Sequence, residues 1–167
     1  MYKRILIPTD GSQVSGLAAD AAIELARSCG SGIVTLSIVV PEPVLPYVEG
    51  GIVLDTGQQT EALLENAHGF VGTVAERARR SGIECTPVTR IDPDPARAIV
   101  EAAGEYECDL IVMGSHGRRG LSRLLAGSVT QAVLAYAPVP VMVLRPALPD
   151  EQAEALARPC PASARLT

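Results

Sequence analysis

Short apolar segments alternate with segments of helical periodicity along this chain, and that alternation restricts the fold more than any other feature of the sequence. Five segments are strand-like, and they start at Lys3, Ile33, Glu84, Leu110 and Val141. Most consist of consecutive Val, Ile and Leu residues, which is typical of strands buried on both faces of a parallel sheet. Because parallel strands are joined by right-handed crossovers, the four helices must cover both faces. The sequence therefore predicts an α/β fold with one doubly wound, five-stranded parallel sheet.

Each predicted helix follows from apolar residues spaced three and four positions apart. The first helix has Ser12 as a suitable N-cap and Gly30 as a C-terminal stop. Asp94 followed by Pro95 predicts the start of the third helix. The periodic positions are Val14, Leu17, Ala18, Ala21 and Leu25 in the first helix, Leu63, Ala67, Val71, Val74 and Ala78 in the second, Ile99, Ala102 and Tyr106 in the third, and Val129, Ala132, Val133 and Tyr136 in the fourth.

Two regions depart from the alternating pattern. Residues 41–57 are rich in proline and glycine, which predicts a long loop. From Pro146 onward no strand pattern remains. We therefore expect one domain over residues 1–146 and a mobile C-terminal tail over residues 147–167.

The composition narrows the possible functions. The 167 residues carry a net charge of −5, which offers no electrostatic footprint for nucleic acid. Apolar runs are too short to span a bilayer and the N-terminus lacks a signal-peptide pattern, so we expect no membrane partner. The cysteines lack the spacing of a zinc site, and we interpret the first three as small hydrophobic residues at element ends. Unpaired cysteines fit a cytoplasmic location. The four are Cys29, Cys85, Cys108 and Cys160.

Residues 114–128 form a glycine-rich connection between the fourth strand and the fourth helix. Glycine lets backbone N–H groups approach an anion, and Gly127 and Ser128 stand where the helix begins, so its N–H groups and dipole favour a phosphate. Ligands of open α/β sheets bind where the strand order reverses. If the first and fourth strands are neighbours there, Asp10 and Gly114 lie side by side. The alternative is a simple turn, since the P-loop and G-x-G-x-x-G patterns are absent.

The spacing G-x2-G-x9-G-[ST] is met by Gly114, Gly117, Gly127 and Ser128. Together with Pro-Thr-Asp-Gly-Ser at residues 8–12 and Ala-Pro-Val-Pro-Val at residues 137–141, this spacing resembles the universal stress protein family, over about residues 1–146. The resemblance implies the strand order 3-2-1-4-5, which places the switch point between the first and fourth strands. It also implies ATP as the ligand, with Mg²⁺ or Mn²⁺ held by the phosphates.

In the ATP-binding branch of that family, which keeps these glycines, the aspartate after the first strand holds the nucleoside. The resemblance therefore assigns that role to Asp10, and the backbone of Ile38 and Val39 would line the adenine. The ribose would be flanked by Met113 and Gly114, and the phosphates would be held by Gly117, Gly127, Ser128 and Val129. The implied set also contains Pro8, Thr9 and His116, although His116 is equally suited to fill the loop through its backbone. Arg118, Arg119 and Arg123 would screen phosphate charge or remain solvated.

Two classes of function remain open at this point. One is a nucleotide-responsive regulatory or stress-adaptation module that binds ATP without rapid turnover. The other is a slow ATPase of the same fold. The first is favoured because an efficient ATPase needs a positioned general base, and the loop offers only Ser115, His116 and an already assigned Asp10. A scaffold without nucleotide is disfavoured by the complete glycine pattern.

The fifth strand is an apolar sheet edge in the implied order. Val139, Val141 and Val143 alternate along it, and residues 135–144 carry no charge. Such an edge offers unpaired backbone groups, so a symmetric homodimer through this strand is predicted. Family members commonly pair in this way, and the resemblance therefore implies the same. The alternative is that the chain's own tail covers the edge.

Overall fold

Strands and helices alternate along the whole described part of the chain. The structure, a computed structural model, describes residues 1–41, 56–115 and 127–146, with only the backbone for residues 56–59. The elements are β1 (Arg4–Pro8), α1 (Gln13–Cys29), β2 (Gly32–Val39), α2 (Thr56–Arg80), β3 (Cys85–Ile91), α3 (Pro95–Glu105), β4 (Leu110–Gly114), α4 (Ser128–Tyr136) and β5 (Val141–Leu144). All strand pairs are parallel, in the order β3-β2-β1-β4-β5. The predicted fold class and strand order are confirmed. The predicted tail and most of the 41–57 loop lie outside the described residues.

Successive residues of each central strand enter opposite sides of the sheet, as the two-residue period of a strand requires. Ile5 and Ile7 of β1 join an apolar cluster beneath α1 and α2, whereas Leu6 joins a second cluster beneath α3 and α4. Both clusters are aliphatic, and the buried cores they form explain why most strand segments read as continuous apolar runs. The part of the chain that the structure describes has no helix long and apolar enough to cross a membrane.

Helix α1 begins and ends as predicted, but its buried face differs from the predicted one. The Ser12 side chain accepts a hydrogen bond from the Ser15 N–H, and Gly30 ends the helix with φ of 70°. The large residue Leu17 is exposed. The buried face is made of small residues instead, since α1 packs closely over β4. These residues are Ser15, Ala18, Ala19, Ala22, Ile23 and Ala26.

The other helices also show where the periodic pattern succeeds and where it fails. In α2, the predicted positions from Ala67 to Ala78 are buried, whereas Leu63 is partly exposed. In α4, Val133 is buried, but Tyr136 is 76 % exposed. Tyr136 therefore continues the apolar spacing in the last turn of α4 without joining the buried core.

The two edge strands expose different backbone groups. Ile33 N–H donates to the Glu84 carbonyl and Asp92 N–H donates to the Val39 carbonyl, so the even-numbered residues of β3 face β2. Pro87, which has no N–H, therefore turns its nitrogen to the outer edge, where proline costs no ladder hydrogen bond. On β5, Pro140 and Leu144 accept hydrogen bonds from β4 residues, so the N–H groups of Val141 and Val143 point outward.

Candidate functional site

The strand order reverses between β1 and β4, the first point at which neighbouring strands are not connected by one crossover. Ile5 pairs with Leu110 and Leu6 with Ile111, so the two strands run side by side in register. Their carboxyl ends therefore open at the same level into the β1–α1 turn and the β4–α4 connection. In open α/β sheets this crevice is where ligands bind. The structure brings Asp10 and Gly114 to this common edge, as expected from the sequence.

The β1–α1 turn is held by hydrogen bonds among its own polar groups. Asp10 Oδ1 accepts the Ser12 N–H at 3.1 Å, and Thr9 Oγ1 accepts the Gly11 N–H at 3.3 Å. The hydroxyls of Thr9 and Ser15 lie 3.3 Å apart, and Ser15 donates to the Ser12 carbonyl at 2.9 Å. These bonds fix the backbone that carries Asp10.

The two described ends of the β4–α4 connection, Ser115 and Gly127, lie close together. Gly127 N–H donates to the Ser115 carbonyl at 2.8 Å, so the two residues that flank segment 116–126 are hydrogen-bonded to each other. Thr130 Oγ1 lies 3.2 Å from the carbonyl oxygens of both Gly114 and Ser115. Thr130 and Ser115 are buried. The first and third glycines of the motif are therefore brought together, although twelve residues lie between them in the sequence.

The start of α4 differs from the starts of α1 and α3. Ser12 caps α1 through its hydroxyl, and Asp94 caps α3 by accepting the N–H groups of Ala96 and Arg97. Gly127, the N-cap of α4, has no side chain and makes no side-chain cap hydrogen bond. Since the first N–H groups of a helix need a partner, this start is suited to accept an anionic group.

Position 114 has no room for a side chain, because α1 packs closely against it. A Cβ on this residue would lie 3.0 Å from Val14 Cγ1, 3.1 Å from the Val14 carbonyl carbon and 3.2 Å from the Ser15 nitrogen. These contacts are tighter than normal packing allows, and two of the three atoms belong to the backbone. The motif's first glycine thus lets the start of α1 approach β4, a structural reason that the sequence alone did not supply.

At the end of β2, the backbone carbonyl of one residue faces the crevice and that of the next residue faces away from it. Leu36 accepts a hydrogen bond from the Thr9 N–H, toward β1, and Val39 accepts one from the Asp92 N–H, toward β3. Because these directions alternate along a strand, the Ile38 carbonyl points toward the β1 side, beyond the last β1 residue. Of the two predicted adenine-lining residues, Ile38 is the one whose backbone faces the crevice.

The remaining predicted residues have separate positions. The Met113 side chain is buried beneath α3 and α4, so only its backbone faces the site. Val129 packs partly on the same cluster, and Ser128 is exposed at the start of α4. His116, Gly117 and the three arginines at 118, 119 and 123 lie outside the described residues.

Sequence reasoning missed the residues that hold the site together from behind. Thr130 is absent from the predicted site residues, although a threonine in the first turn of a helix is well placed to donate to a neighbouring carbonyl. Ser115 is named in the sequence analysis only as a catalytic candidate, whereas the structure buries it where the β4–α4 connection closes. Phe70 of α2 packs directly against Gly11 in the β1–α1 turn. The signal for Phe70 was available, since it is the single phenylalanine of the chain.

The described residues offer no side-chain cluster for a metal ion. In residues 1–41, 56–115 and 127–146, no cluster of three or more His, Cys, Asp or Glu side chains could hold an ion.

The fold is that of an open α/β protein, with a candidate ligand site in the crevice between β1 and β4, at its switch point. The sequence model of the universal stress protein family matches residues 1–145, and the chain belongs to this family. A universal stress protein of Methanocaldococcus jannaschii is 35 % identical over 147 residues, which span 87 % of this chain and 83 % of that protein.

Solved structures show the same relationship. A universal stress family protein from Burkholderia pseudomallei superimposes with a TM-score of 0.69 at 29 % identity, over 85 % of this chain and 95 % of that one. A universal stress protein from Archaeoglobus fulgidus, solved in complex with dAMP, superimposes with a TM-score of 0.63 at 22 % identity, over 86 % and 98 %. The second likeness establishes the fold alone.

Proposed function

We propose that this protein binds ATP between the carboxyl ends of β1 and β4 and acts as a nucleotide-responsive regulatory module in stress adaptation. The observation that carries the proposal is the start of α4, where Gly127 leaves the helix without a side-chain cap beside the crevice. The complete G-x2-G-x9-G-S spacing supports it, as does the dAMP complex of the Archaeoglobus fulgidus relative.

Each part of the nucleotide has a candidate partner in this arrangement. Asp10 holds the nucleoside end, and the Ile38 backbone faces the adenine. The backbones of Pro8, Thr9, Met113 and Gly114 line the ribose. The phosphates lie at Gly127, Ser128 and Val129, where the helix dipole stabilises negative charge. His116 and Gly117 complete the phosphate end.

The protein functions as a binding module, with at most slow ATP hydrolysis. The Ser12, Ser15 and Thr9 hydroxyls are engaged with one another or with backbone, and Asp10 Oδ1 accepts the Ser12 N–H. These groups hold the turn and are not poised as a nucleophile or general base. We expect turnover far below the roughly 10 s⁻¹ typical of enzymes, measured as phosphate release. Turnover near that value, lost on mutation of Gly127, would establish an enzyme.

Calorimetry with ATP on folded variants tests the binding proposal. Gly127→Ala places a methyl group where a phosphate would lie, and we expect at least ~10-fold weaker binding, equivalent to ~1.4 kcal/mol. Gly117→Ala should act in the same direction. Gly30→Ala, a glycine at the opposite end of the sheet, is the matched control and should bind like the wild type. Wild-type affinity in Gly127→Ala would show that this glycine serves the turn alone.

We further propose that two copies pair through β5. The outward N–H groups of Val141 and Val143 support this interface. The side chains of Val139, Val141 and Val143 pack partly on the chain's own core, so their contribution to pairing is through the backbone. Met142 is 41 % exposed beside them.

Met142→Lys tests the pairing and leaves the core intact. Val141→Lys would test the pairing as well, but it would disturb the core. We expect Met142→Lys to be a folded monomer by light scattering, because the charge is repeated across a two-fold axis. Leu63→Lys, a partly exposed leucine on α2, is the control and should remain a dimer. A monomeric wild type at micromolar concentration would refute the interface.

A further inference from the structure

The single phenylalanine of the chain, Phe70, is not among the described residues that form the two apolar clusters. Aromatic residues make up only 3 % of the sequence, and the cores beneath the helices are aliphatic. Phe70 is half-buried on α2. A large apolar ring at such a position stabilises whatever backbone it covers, because it excludes water from that backbone.

The backbone beneath the Phe70 ring is Gly11, in the turn that carries Asp10. A Cβ on Gly11 would overlap the ring at Cδ1 and Cε1 and would lie 2.8 Å from Cζ. Gly11 also has φ of 74°, a left-handed conformation that glycine adopts readily. The ring therefore rests on bare backbone, and any side chain at position 11 would displace it.

The two amides that shape the turn flank this contact. Gly11 N–H donates to Thr9 Oγ1 and Ser12 N–H donates to Asp10 Oδ1. Both bonds are near the long end of the normal range, at 3.3 and 3.1 Å, and their energies are modest while water competes for the same groups. A ring that covers the turn from one side favours the closed form of both.

We propose that Phe70 is a positioning residue for the nucleotide site: it holds the β1–α1 turn in the conformation that directs Asp10 to the nucleoside. This inference rests on the proposed ATP binding at the same edge. It assigns a role to α2, a helix that contributes no residue to the predicted ligand contacts. Phe70 acts through Gly11 and does not touch the ligand.

The rest of α2 provides a fixed base for this contact. Val74 and Ala78, one and two turns further on, are buried in the cluster beneath α1, and Arg77 forms an ion pair with Asp20 of α1. The α2 backbone at residue 70 is therefore anchored to the core. By linkage, a ligand that prefers the closed turn must in return stabilise the Phe70 contact.

Calorimetry with ATP on Phe70→Ala, with Val74→Ala as control, tests the inference. Both variants remove apolar contacts of α2, but only Phe70 covers the turn. We expect about 10-fold weaker binding in Phe70→Ala and a change of less than about 2-fold in Val74→Ala. Equal losses in the two variants, or wild-type affinity in Phe70→Ala, would overturn the role.

Hydrogen exchange without ligand separates this inference from the proposed function. In Phe70→Ala the amides of Gly11 and Ser12 should exchange faster than in the wild type, while in Val74→Ala they should not. If the wild type binds no adenine nucleotide, the proposed function fails, and the exchange rates alone judge the effect of Phe70 on the turn. Unchanged exchange in Phe70→Ala would overturn the positioning role whatever the affinity.

Discussion

At the amino end of the sheet, Gly30 and Gly82 close α1 and α2 in the left-handed conformation, whereas at the carboxyl end α4 starts at Gly127 with no side-chain cap. Backbone hydrogen bonds close both helices at the amino end. The Gly30 and Ser31 N–H groups both reach the Ala26 carbonyl, and the Ile83 N–H reaches Ala78.

Two charged side chains at the amino end, Asp109 and Arg4, are paired with the backbone. Asp109 accepts hydrogen bonds from the backbone N–H groups of Lys3 and Arg4. Burial acts to raise the pKa of Asp109, but these bonds outweigh it and hold the pKa below its usual range. The Arg4 guanidinium donates to the Tyr106 carbonyl at 2.9 Å.

The contrast has an electrostatic side. Helix N-termini face the carboxyl end of a parallel α/β sheet and C-termini face the amino end, so the two ends carry opposite partial charges. A groove of about 290 Å³ does exist at the amino end, between Arg27 and Glu84. Its walls are the C-termini of α1 and α2, whose partial negative charge opposes phosphate. Among the described residues, the start of α4 at the carboxyl end therefore suits a phosphate better than the groove at the amino end does, because it lacks a side-chain cap and its partial charge is positive.

The largest expected effect concerns the reactivity of two cysteine thiols at the amino end of the sheet. Burial raises the pKa of Cys85 to about 11, against a weaker opposing bond from Thr35, and burial likewise raises the pKa of Cys108 to about 11. Relative to an ordinary thiol, this lowers the thiolate fraction at pH 8 about 100-fold. Alkylation followed by mass spectrometry should therefore be slow at both cysteines in the native protein and fast in denaturant. Rapid native labelling would show that the amino end opens.

The same shifts set the sign of the alkaline stability change. Each thiol has a higher pKa in the folded protein than in the unfolded chain. Its contribution to the free energy of unfolding is therefore fully present below about pH 9 and is lost as the pH rises through about 11. Cys108→Ala should flatten the fall in unfolding free energy over that window.

The second prediction compares two glycines at opposite ends. Gly114→Ala should destabilise the fold by about 2 kcal/mol, because the methyl group enters the contact with Val14 and Ser15. At Gly30 nothing lies within 4 Å of a Cβ, but φ is 70°, so Gly30→Ala should cost about 1 kcal/mol through backbone strain. Urea unfolding measures both. A smaller cost at Gly114 than at Gly30 would contradict the packing explanation.

The smallest effect on stability is expected from adding a side-chain cap at the start of α4. Gly127→Asp supplies α4 with a cap and a favourable charge, so we expect a gain of about 0.5 kcal/mol in the free energy of unfolding without ligand. The same carboxylate should weaken ATP binding by at least about 10-fold, since it occupies the phosphate position. Gly104→Asp adds an equal charge on α3 and serves as control. Tighter or unchanged ATP binding in Gly127→Asp would break the comparison.

The sequence predicted the element order, because apolar runs and caps are local signals. The strand order and the site followed from the family resemblance. The local cap signals at Ser12, Gly30 and Asp94 are confirmed. The buried face of α1 could not be predicted from the larger apolar residues, because the close approach to β4 selects alanines.

Contacts between distant segments account for what the sequence could not supply. Nothing near Phe70 in the sequence indicates that it packs on Gly11. Nor does the sequence indicate that Gly114 is limited by Val14. The roles of the predicted ligand-binding residues remain predictions for the titrations above.

Pro87 limits how molecules of this kind can accumulate. A strand arriving from outside would find no donor at the centre of β3, whereas the N–H groups along β5 are continuous. Strand addition is therefore less favourable at β3 than at β5, and in a pair joined through β5 both remaining outer strands are β3. If two copies pair through β5 as proposed, further growth would have to use β3, where Pro87 removes one outward N–H, so this proline opposes polymerisation beyond the pair.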